Sequence, residues 1–224
     1  IASVEAPEIP FLLSDMIGST SAVPGDILNK MGQPDLMPSF YYWPVGNTDQ
    51  PDTEEYSFID GLFIENLGIV PLLRRRYPVI LVFVNSGFPI GLDGTDPFST
   101  LDFHIGHLFG FSKPGRPNTQ IFPQEQFHAL ANGLKDAKRR GNLPVFVDQY
   151  SIVQPNYFDI PQYPNDQQVT VAWFYNDMYQ PWLDALPADT SKALRDPQHN
   201  LAGFPHYKTL FHNSNKTGIP ELFY

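Results

Sequence analysis

Residues 79–84 read Val-Ile-Leu-Val-Phe-Val, six consecutive apolar residues bounded by Pro78 and Asn85. Most of them are β-branched, and a short apolar run of this kind favours a β-strand. Because successive side chains of a strand point to opposite faces of a sheet, a strand that is apolar throughout must be covered on both faces, as in mainly parallel α/β sheets. The run predicts an α/β fold, with strand 79–84 in the interior of a mixed or mainly parallel sheet.

The remaining elements of that sheet are predicted on the C-terminal side of the run. Residues 124–140 carry apolar side chains at helical spacing, and basic residues followed by Gly141 end the pattern as a helix C-terminus would. Residues 143–147 and 169–175 are predicted as two further strands. We expect the helix to pack against a face of the sheet through its apolar positions, which include Phe127, Leu130, Ala131 and Leu134.

Irregular structure is predicted between these elements. The chain contains 23 Pro, which cannot donate to a ladder and break helix interiors, so we expect a loop-rich architecture. Residues 87–123 are rich in Gly, Pro and Asp and keep no period, which predicts a long surface excursion. Residues 1–50 are interpreted as a short helix with loops, and residues 204–212 as a terminal helix.

The composition is that of a folded, acidic protein. The chain has 224 residues, of which 42% are hydrophobic and 17% charged, as in globular rather than disordered proteins. A net charge of −10 argues against a nucleic-acid partner, because phosphates attract Lys and Arg. The absence of Cys excludes disulfides, Cys-based zinc sites and thiol catalysis but leaves the compartment open. Because the sequence begins at Ile1 rather than Met, we expect a cleavage product or a truncation.

The segment most informative about function runs from Asp60 to Arg74 and reads Asp-Gly-Leu-Phe-Ile-Glu-Asn-Leu-Gly-Ile-Val-Pro-Leu-Leu-Arg. Residues 56–59 predict a short strand that ends at Asp60, and residues 67–76 predict a short helix with a basic C-terminal end. A carboxylate at the end of a buried strand, followed by a Gly that lets the backbone turn, can project into a cleft and accept a proton. An Asp-Gly pair by itself indicates only a turn.

This segment resembles the second catalytic motif of the patatin and cytosolic phospholipase A2 families, in which an Asp-Gly turn is followed by Asn and then by a Pro-Leu-Leu-Arg-like helix. The resemblance implies a Ser–Asp dyad in which Asp60 activates a serine, with Gly61 and Asn66 as supporting motif residues. It implies part of a three-layer α/β domain and a lipid acyl hydrolase of the phospholipase or lipase type, which acts on a lipid ester without cofactor or metal. Asp-Gly-Leu in place of the patatin Asp-Gly-Gly favours the cytosolic branch.

The serine of that family is missing from the chain. Its Gly-x-Ser-x-Gly elbow does not occur in the sequence, and Gly110-Phe-Ser-Lys-Pro114 has Pro where a small residue is needed, so Ser112 is interpreted as a loop serine. Residues 19–24 resemble the Ala-Thr-Ser-Ala-Ala-Pro segment that lies between the two family motifs. The resemblance therefore implies that residues 1–224 are a single partial domain, the catalytic-aspartate half.

The same resemblance makes the N-terminal half of the same protein, either joined or as a separate chain, the expected partner. Transient contact with a membrane surface would suit the lipid substrate. We expect the chain to be inactive by itself, because both the serine and the glycine-rich oxyanion loop would lie on the other half. The head group, the acyl position and the chain length of the lipid are not indicated by the sequence.

Other candidate sites have simpler interpretations. Asp102, His104 and His107 offer zinc-like ligands, but packed or surface histidines are expected. Residues 93–96 lack the ligand spacing of a calcium loop and are expected to form a polar turn. Residues 74–76 are three Arg that could meet lipid phosphate, although a solvated helix end is expected. Residues 215–217 match a glycosylation sequon, which occurs readily by chance.

Two other classes of function compete with the enzyme. One is a non-catalytic relative that binds lipid or protein with the same fold, and the other is an unrelated structural or interaction domain in which the Asp60 segment is coincidental. A serine elbow in a longer form of the protein would favour the enzyme, and its absence there would favour the binding module.

Overall fold

The computed structural model of the chain describes residues 12–14, 17, 32, 39–42, 54–58, 61, 64–93, 96–112, 117–199, 201 and 204–206. The chain divides into two compact units, Ile1–Asn66 and Leu67–Tyr224. The boundary falls inside the Asp60–Arg74 segment, and the single partial domain over residues 1–224 stays a prediction.

The N-terminal unit contains a two-stranded antiparallel sheet. Strand β1 (Ser39–Tyr42) pairs with β2 (Glu54–Ser57), and the Ser39 hydroxyl donates to the Glu55 carboxylate across the pair at 2.6 Å. The sequence predicted that this second strand is buried and runs to residue 59, and both expectations are wrong. It ends at Ser57 and, within the part of the chain that the structure describes, pairs only with β1. Its residues 55–57 are exposed, so it lacks the buried surface that makes a strand central.

The C-terminal unit holds the main α/β structure, which confirms the α/β class. The predicted strands 79–84 and 169–175 are observed with those bounds, the strand predicted at 143–147 lies at 145–150, and the helix predicted at 124–140 lies at 126–139. The short helix expected within residues 67–76 is also present. The strands are β3 (Val79–Val84), β4 (Val145–Tyr150) and β5 (Val169–Tyr175), and the helices are α1 (Val70–Arg74), α2 (Pro97–Thr100), α3 (Phe103–Leu108), α4 (Gln126–Arg139), α5 (Gln180–Ala185) and α6 (Ala188–Arg195).

The three strands form a mixed sheet in the order β3-β5-β4. β3 runs parallel to β5, with Val84 opposite Tyr175, and β4 runs antiparallel to β5, with Val145 opposite Phe174. The expected interior position of strand 79–84 is wrong for the described sheet, in which β3 is an edge strand. An apolar run reports that a strand is hydrophobic, but it does not report how many neighbours the strand has.

One face of this sheet forms the core together with α4. Strand residues of this face, such as Val82 and Trp173, are buried, and so are the apolar positions of α4. The helix lies close to β4, because a side chain on Gly133 would overlap the ring of Phe146. The predicted packing of α4 on a sheet face is therefore confirmed. The α4 positions in the core are Phe127, Leu130, Ala131 and Leu134.

The segment 87–123 is not the surface excursion that the sequence predicted. It contains α2 and α3, and several of its side chains belong to the core. Helices of four and six residues are too short to show a period, so the sequence pattern could not reveal them. Phe122 packs on Tyr150 with ring centroids 4.8 Å apart, which ties this segment to β4. Its core residues are Ile90, Leu101, Ile105, Leu108, Phe109, Ile121 and Phe122.

The C-terminal region also differs from expectation. Helices α5 and α6 follow β5 and were not predicted. Residues 204–206 form a turn and not the start of a helix, and the rest of the predicted terminal helix lies outside the described residues. No helix within the described ranges is both long and apolar enough to cross a bilayer.

Candidate functional site

The predicted catalytic residue, Asp60, lies outside the described residues, but part of its motif is visible. The Gly61 carbonyl accepts hydrogen bonds from the N–H groups of Ile64 and Glu65 at 2.8 and 3.0 Å, so the chain turns over residues 61–65. Asn66 is exposed at the end of this turn. Gly68 has a φ of +69°, a backbone conformation that glycine adopts at little cost. A turn therefore follows Gly61, and the predicted turn at Asp60-Gly61 itself includes a residue outside the described ones.

Helix α1 connects this turn to the sheet. Leu73 of α1 is buried, whereas Arg74, Arg75 and Arg76 are exposed. The Arg75 guanidinium donates to the Pro71 carbonyl at 3.0 Å, a contact that satisfies a helix-end acceptor. The arrangement fits a solvated helix end, as expected from the sequence.

A cluster of buried polar side chains lies at the carboxyl edge of β3 and β5. These strands are parallel, so their carboxyl ends meet at one edge of the sheet, where α/β proteins commonly place functional groups. Ser86 and Asp177 each lie two residues beyond their strand. Sequence reasoning missed this cluster, although polar residues directly after two apolar strands were a usable signal. We call it the edge cluster, formed by Ser86, Asp102, His104, Lys138, Asp177 and His206.

Asp102 forms one half of the edge cluster. Its carboxylate accepts from the Ser86 hydroxyl at 2.5 Å, from the His104 backbone N–H at 2.9 Å and contacts Nδ1 of His104 at 2.9 Å. Burial alone would raise the pKa of Asp102, but the hydrogen bonds from His104 and Ser86 outweigh that effect and hold the pKa below its usual range. A carboxylate of lowered pKa is a weak proton acceptor.

Ser86 and Asp102 therefore form a Ser–Asp pair within the chain, but their hydrogen bonds are structural. The Ser86 hydroxyl is almost fully buried and also accepts from the Phe88 N–H at 3.1 Å, and Asp102 caps the first turn of α3. A nucleophilic serine needs an accessible hydroxyl and a good base beside it, and this pair has neither.

Asp177 forms the other half of the edge cluster. One carboxylate oxygen accepts from the Lys138 ammonium at 2.6 Å and from the Ile90 N–H at 2.9 Å, and the other contacts Nε2 of His206 at 3.0 Å. Burial alone would raise the pKa of Asp177, but the hydrogen bonds from His206, Lys138 and Ile90 hold it far below its usual range. An ionised carboxylate thus joins β5 to α4 and to residue 206.

His206 is bonded at both ring nitrogens. Nδ1 lies 2.9 Å from the Ser86 carbonyl, and Nε2 lies 3.0 Å from the Asp177 carboxylate. Both ring nitrogens therefore face acceptor oxygens. The Asp177 carboxylate thus lies between the Lys138 ammonium and the His206 ring, an arrangement that suits a structural anchor.

Tyr175 connects the two halves. Its hydroxyl donates to the Phe88 carbonyl at 2.9 Å and accepts from the Asp102 N–H at 3.2 Å. Burial raises the pKa of Tyr175 above its usual range, so the phenol stays neutral. The hydrogen bonds of Ser86, Asp102, Tyr175 and Asp177 described above join members of the edge cluster to each other and to nearby backbone, as in a rigid scaffold.

The two histidines considered as zinc ligands, His104 and His107, are packed inside the C-terminal unit. His104 and His107 are both buried, their ring centroids lie 6.3 Å apart, and Nδ1 of His104 faces Asp102. The described part of the chain holds no group of three His, Cys, Asp or Glu side chains that could bind a metal ion.

Other candidates from the sequence have local roles or lie beyond the described residues. The Ser112 hydroxyl donates to the Pro117 carbonyl at 3.2 Å, as a loop serine would. The Asp96 carbonyl accepts from the N–H groups of Ser99 and Thr100 in the first turn of α2. Residues 19–24 and the sequon at 215–217 lie outside the described residues.

The second face of the main sheet is apolar, with exposed side chains on the outer strands and a buried Ala172 on the central strand. On β3, Val79, Leu81 and Phe83 are 59%, 56% and 67% exposed. Phe83 stacks on Phe174 of β5, with ring centroids 4.8 Å apart. We call this surface the open face. The strand register places on it Val79, Leu81 and Phe83 of β3, Thr170, Ala172 and Phe174 of β5, and Val145, Val147 and Gln149 of β4.

Comparison with known proteins identifies no relative. No protein-family model, no curated protein and no solved structure matches the chain. The family resemblance therefore depends on the sequence motifs, and above all on the segment that begins at Asp60.

Proposed function

We propose that this chain is the catalytic-aspartate half of a serine-dependent lipid acyl hydrolase of the phospholipase or lipase type. Asp60 is the general base for a serine outside this chain, in a three-layer domain like that of patatin and cytosolic phospholipase A2. The observation that supports this assignment most directly is the Asp60–Arg74 segment, in which a turn after Asp60 leads through α1 into the parallel strand β3.

The proposed reaction has two steps. Asp60 accepts the proton of the serine hydroxyl while the serine oxygen attacks the ester carbonyl, and the alcohol leaves with that proton. Water then attacks the acyl-serine, again with Asp60 as base, and releases the fatty acid and the free serine. Donors on the other half stabilise the oxyanion in both steps.

Two features of the C-terminal unit support a serine from elsewhere. The buried Ser86 faces a carboxylate, but that carboxylate has a lowered pKa and the hydroxyl is buried, so the pair is a poor dyad. The open face is the other feature. A sheet with parallel strands and apolar side chains on both faces belongs in the interior of a larger domain.

A binding module is the second candidate, because an exposed apolar sheet face is also what a non-catalytic lipid- or protein-binding relative would present. In that case the Asp60 turn is retained for its shape, and the carboxylate has no partner serine.

The experiment compares ester hydrolysis by the isolated chain, by the complete two-part protein and by the complete protein with Asp60→Asn. A fluorogenic short-chain ester is the substrate, and Asp136→Asn, at an exposed position of α4, is the matched control. We expect activity only in the complete protein. Asp60→Asn should lower kcat by a factor of about 10²–10⁴, the typical contribution of a positioned base, and the control should be unchanged.

The isolated chain should be inactive, because it lacks the serine as well as oxyanion donors that contribute a further factor of about 10²–10³. Efficient turnover by the isolated chain would show the dyad assignment to be wrong. So would a folded Asp60→Asn variant with an unchanged rate, and the binding module would then replace the enzyme.

A further inference from the structure

Residues 204–206 bring the chain back to the carboxyl edge of β3 and β5, and we call them the strap. Nδ1 of His206 lies 2.9 Å from the Ser86 carbonyl, and Nε2 lies 3.0 Å from the Asp177 carboxylate. Ser86 follows β3 and Asp177 follows β5, so one imidazole ring contacts the chain beyond both parallel strands. Ligands of α/β proteins commonly bind at this edge of the sheet. The strap therefore lies where a ligand would be expected.

The strap has the features of a segment that opens easily. Its three residues are only partly buried, and they lie in a turn rather than in a helix or strand. Phe204 stacks on Trp182 of α5 with ring centroids 5.3 Å apart, but Trp182 is itself 39% exposed. Segments with turn backbone and little buried apolar surface open at a lower free energy than the core does. We therefore expect the contacts of His206 to decide whether the strap stays closed.

Asp177 does not depend on His206 for its hydrogen bonds. One oxygen of its carboxylate accepts from the Lys138 ammonium at 2.6 Å and from the Ile90 N–H at 2.9 Å, and the other accepts from the Met178 N–H at 2.6 Å. These three donors remain when the strap opens, so release of His206 leaves no buried charge without a partner. The contact with His206 can therefore be released without loss of the ion pair that joins Asp177 to Lys138.

The atoms beneath the strap define the chemistry of a group that could replace it. The Ser86 carbonyl and the Asp177 carboxylate face the two nitrogens of one planar ring. A carbonyl and an ionised carboxylate accept hydrogen bonds and do not donate them. A group that takes the place of the His206 ring must therefore carry N–H donors in a plane, as imidazole and guanidinium groups do.

We propose that the strap is releasable, with His206 as its latch, and that it covers a binding site for planar groups with N–H donors at the carboxyl edge of β3 and β5. The Ser86 carbonyl and the Asp177 carboxylate are the acceptors of that site, and the imidazole of His206 occupies it while the strap is closed. All of these residues belong to the C-terminal unit, so the latch is independent of the role of Asp60.

Backbone NMR order parameters of the whole chain test the latch, because a rigid amide gives about 0.85 and a flexible one gives less than about 0.6. His206→Ala should bring the amides of residues 204 and 206 below about 0.6, while Trp173 in the central strand stays near about 0.85. His128→Ala, at an exposed position of α4, is the matched control and should leave the order of the strap and of Trp173 unchanged.

Titration with imidazole tests the site beneath the strap. The amides of Ile90 and Met178 donate to Asp177, so their resonances report on a group that binds this carboxylate. In His206→Ala, millimolar imidazole should shift both resonances, and the additional change Asp177→Asn should abolish the shift. In the unsubstituted chain the same shift should need about 10–100-fold more imidazole and should mobilise residue 206, because the latch must open first.

Four results would overturn the proposal. The strap could stay ordered in His206→Ala, which would show that other contacts hold it. Trp173 could lose its order in the same variant, or the variant could fail to fold, and His206 would then be part of the frame of the sheet and not a latch. Imidazole could bind equally well with and without the His206 ring, or could fail to bind to His206→Ala, and either result would refute the site beneath the strap.

Discussion

The two faces of the β3-β5-β4 sheet have nearly the same chemistry and opposite environments. Ile80 and Leu81 are isomers and neighbours in one strand, yet Ile80 is 2% exposed and Leu81 is 56% exposed. Helix α4 and the segment that contains α3 bury the first face, and the second has no comparable cover within the described residues. The difference shows that burial here is decided by the elements that pack on the sheet and not by the residues of the strand.

The energetic weight of the open face is considerable. At about 25 cal/mol per Å², covering an apolar surface of about 300 Å² contributes up to about 7 kcal/mol, which is comparable to the whole stability of a typical domain. Exposure of such a surface is costly for an isolated protein, since it favours association. The comparison of the two faces therefore leads to measurable expectations.

The largest difference in the free energy of unfolding should come from truncating the neighbouring residues Ile80 and Leu81 to alanine. Ile80→Ala removes buried methyl groups and leaves a cavity, so we expect it to lower the free energy of unfolding by about 2–5 kcal/mol. Leu81→Ala removes exposed atoms and should change it by no more than about 0.5 kcal/mol in the isolated chain. Urea unfolding of both variants measures this contrast. Equal losses would mean that Leu81 is covered in solution by part of the chain itself.

Breaking the ion pair by which Asp177 joins helix α4 to the sheet should have the next largest effect on the free energy of unfolding. Asp177→Asn keeps the shape but removes the anion that accepts from Lys138 of α4 and from His206. Hydrogen bonds to charged groups contribute about 1.5–3 kcal/mol, and we expect a loss of that order at neutral pH. The exposed Asp136→Asn is the control.

The pH dependence of this effect has a definite sign. The pKa of Asp177 is lowered in the folded protein, so its stabilisation is complete above the unfolded value of about 3.9 and is lost as the pH falls below it. The stability difference between the native chain and Asp177→Asn should therefore begin to shrink below about pH 5 and continue to shrink as the pH falls toward the lowered pKa of the folded state. A difference that does not change at all between about pH 5 and roughly pH 3 would indicate a steric role for the side chain instead.

The close approach of α4 to the covered face gives the third expectation. A side chain on Gly133 would overlap the ring of Phe146, so Gly133→Ala should destabilise by about 1–3 kcal/mol, although alanine favours helix by about 1 kcal/mol. Adding Phe146→Leu should recover part of the loss. Thermal or urea unfolding of the two single variants and the double variant tests this, and additive losses would argue against the contact.

Much of the fold could be predicted from the sequence where one element is long and regular. Strands 79–84 and 169–175 are runs rich in β-branched and aromatic residues, helix 126–139 shows a helical period, and the predicted positions of all three were correct. The short helices α2 and α3 were missed because four and six residues do not reveal a period, and their core side chains were assigned to the surface. The edge position of β3 depends on pairing between distant segments, which hydrophobicity does not encode.

For the candidate sites too, local features could be predicted from the sequence and features that depend on distant residues could not. A turn near Asp60 could be predicted because an Asp-Gly pair has a local mechanism, and the structure shows a turn that begins at Gly61. The edge cluster was not predicted, because Ser86, Asp177 and His206 come together only through the parallel pairing of β3 with β5 and the return of the chain at residue 206. The catalytic role of Asp60 stays a prediction.

The smallest expected effect concerns the stacked pair on the open face. Phe83 and Phe174 lie nearly parallel at 4.8 Å, and such pairs contribute about 0.5–1.5 kcal/mol beyond the area they bury. Because both rings face water in the isolated chain, we expect a coupling free energy near the lower limit, about 0.5 kcal/mol. It is measured by a double-mutant cycle with Phe83→Leu, Phe174→Leu and the double variant in urea unfolding.

The buried pair Phe109 and Phe127, with centroids 5.7 Å apart, is the matched control and should show the larger coupling. If a helix covers the open face in the complete protein, exclusion of water should raise the coupling of Phe83 with Phe174 toward that of the control. An unchanged value in the complete protein would mean that the two rings remain in water there.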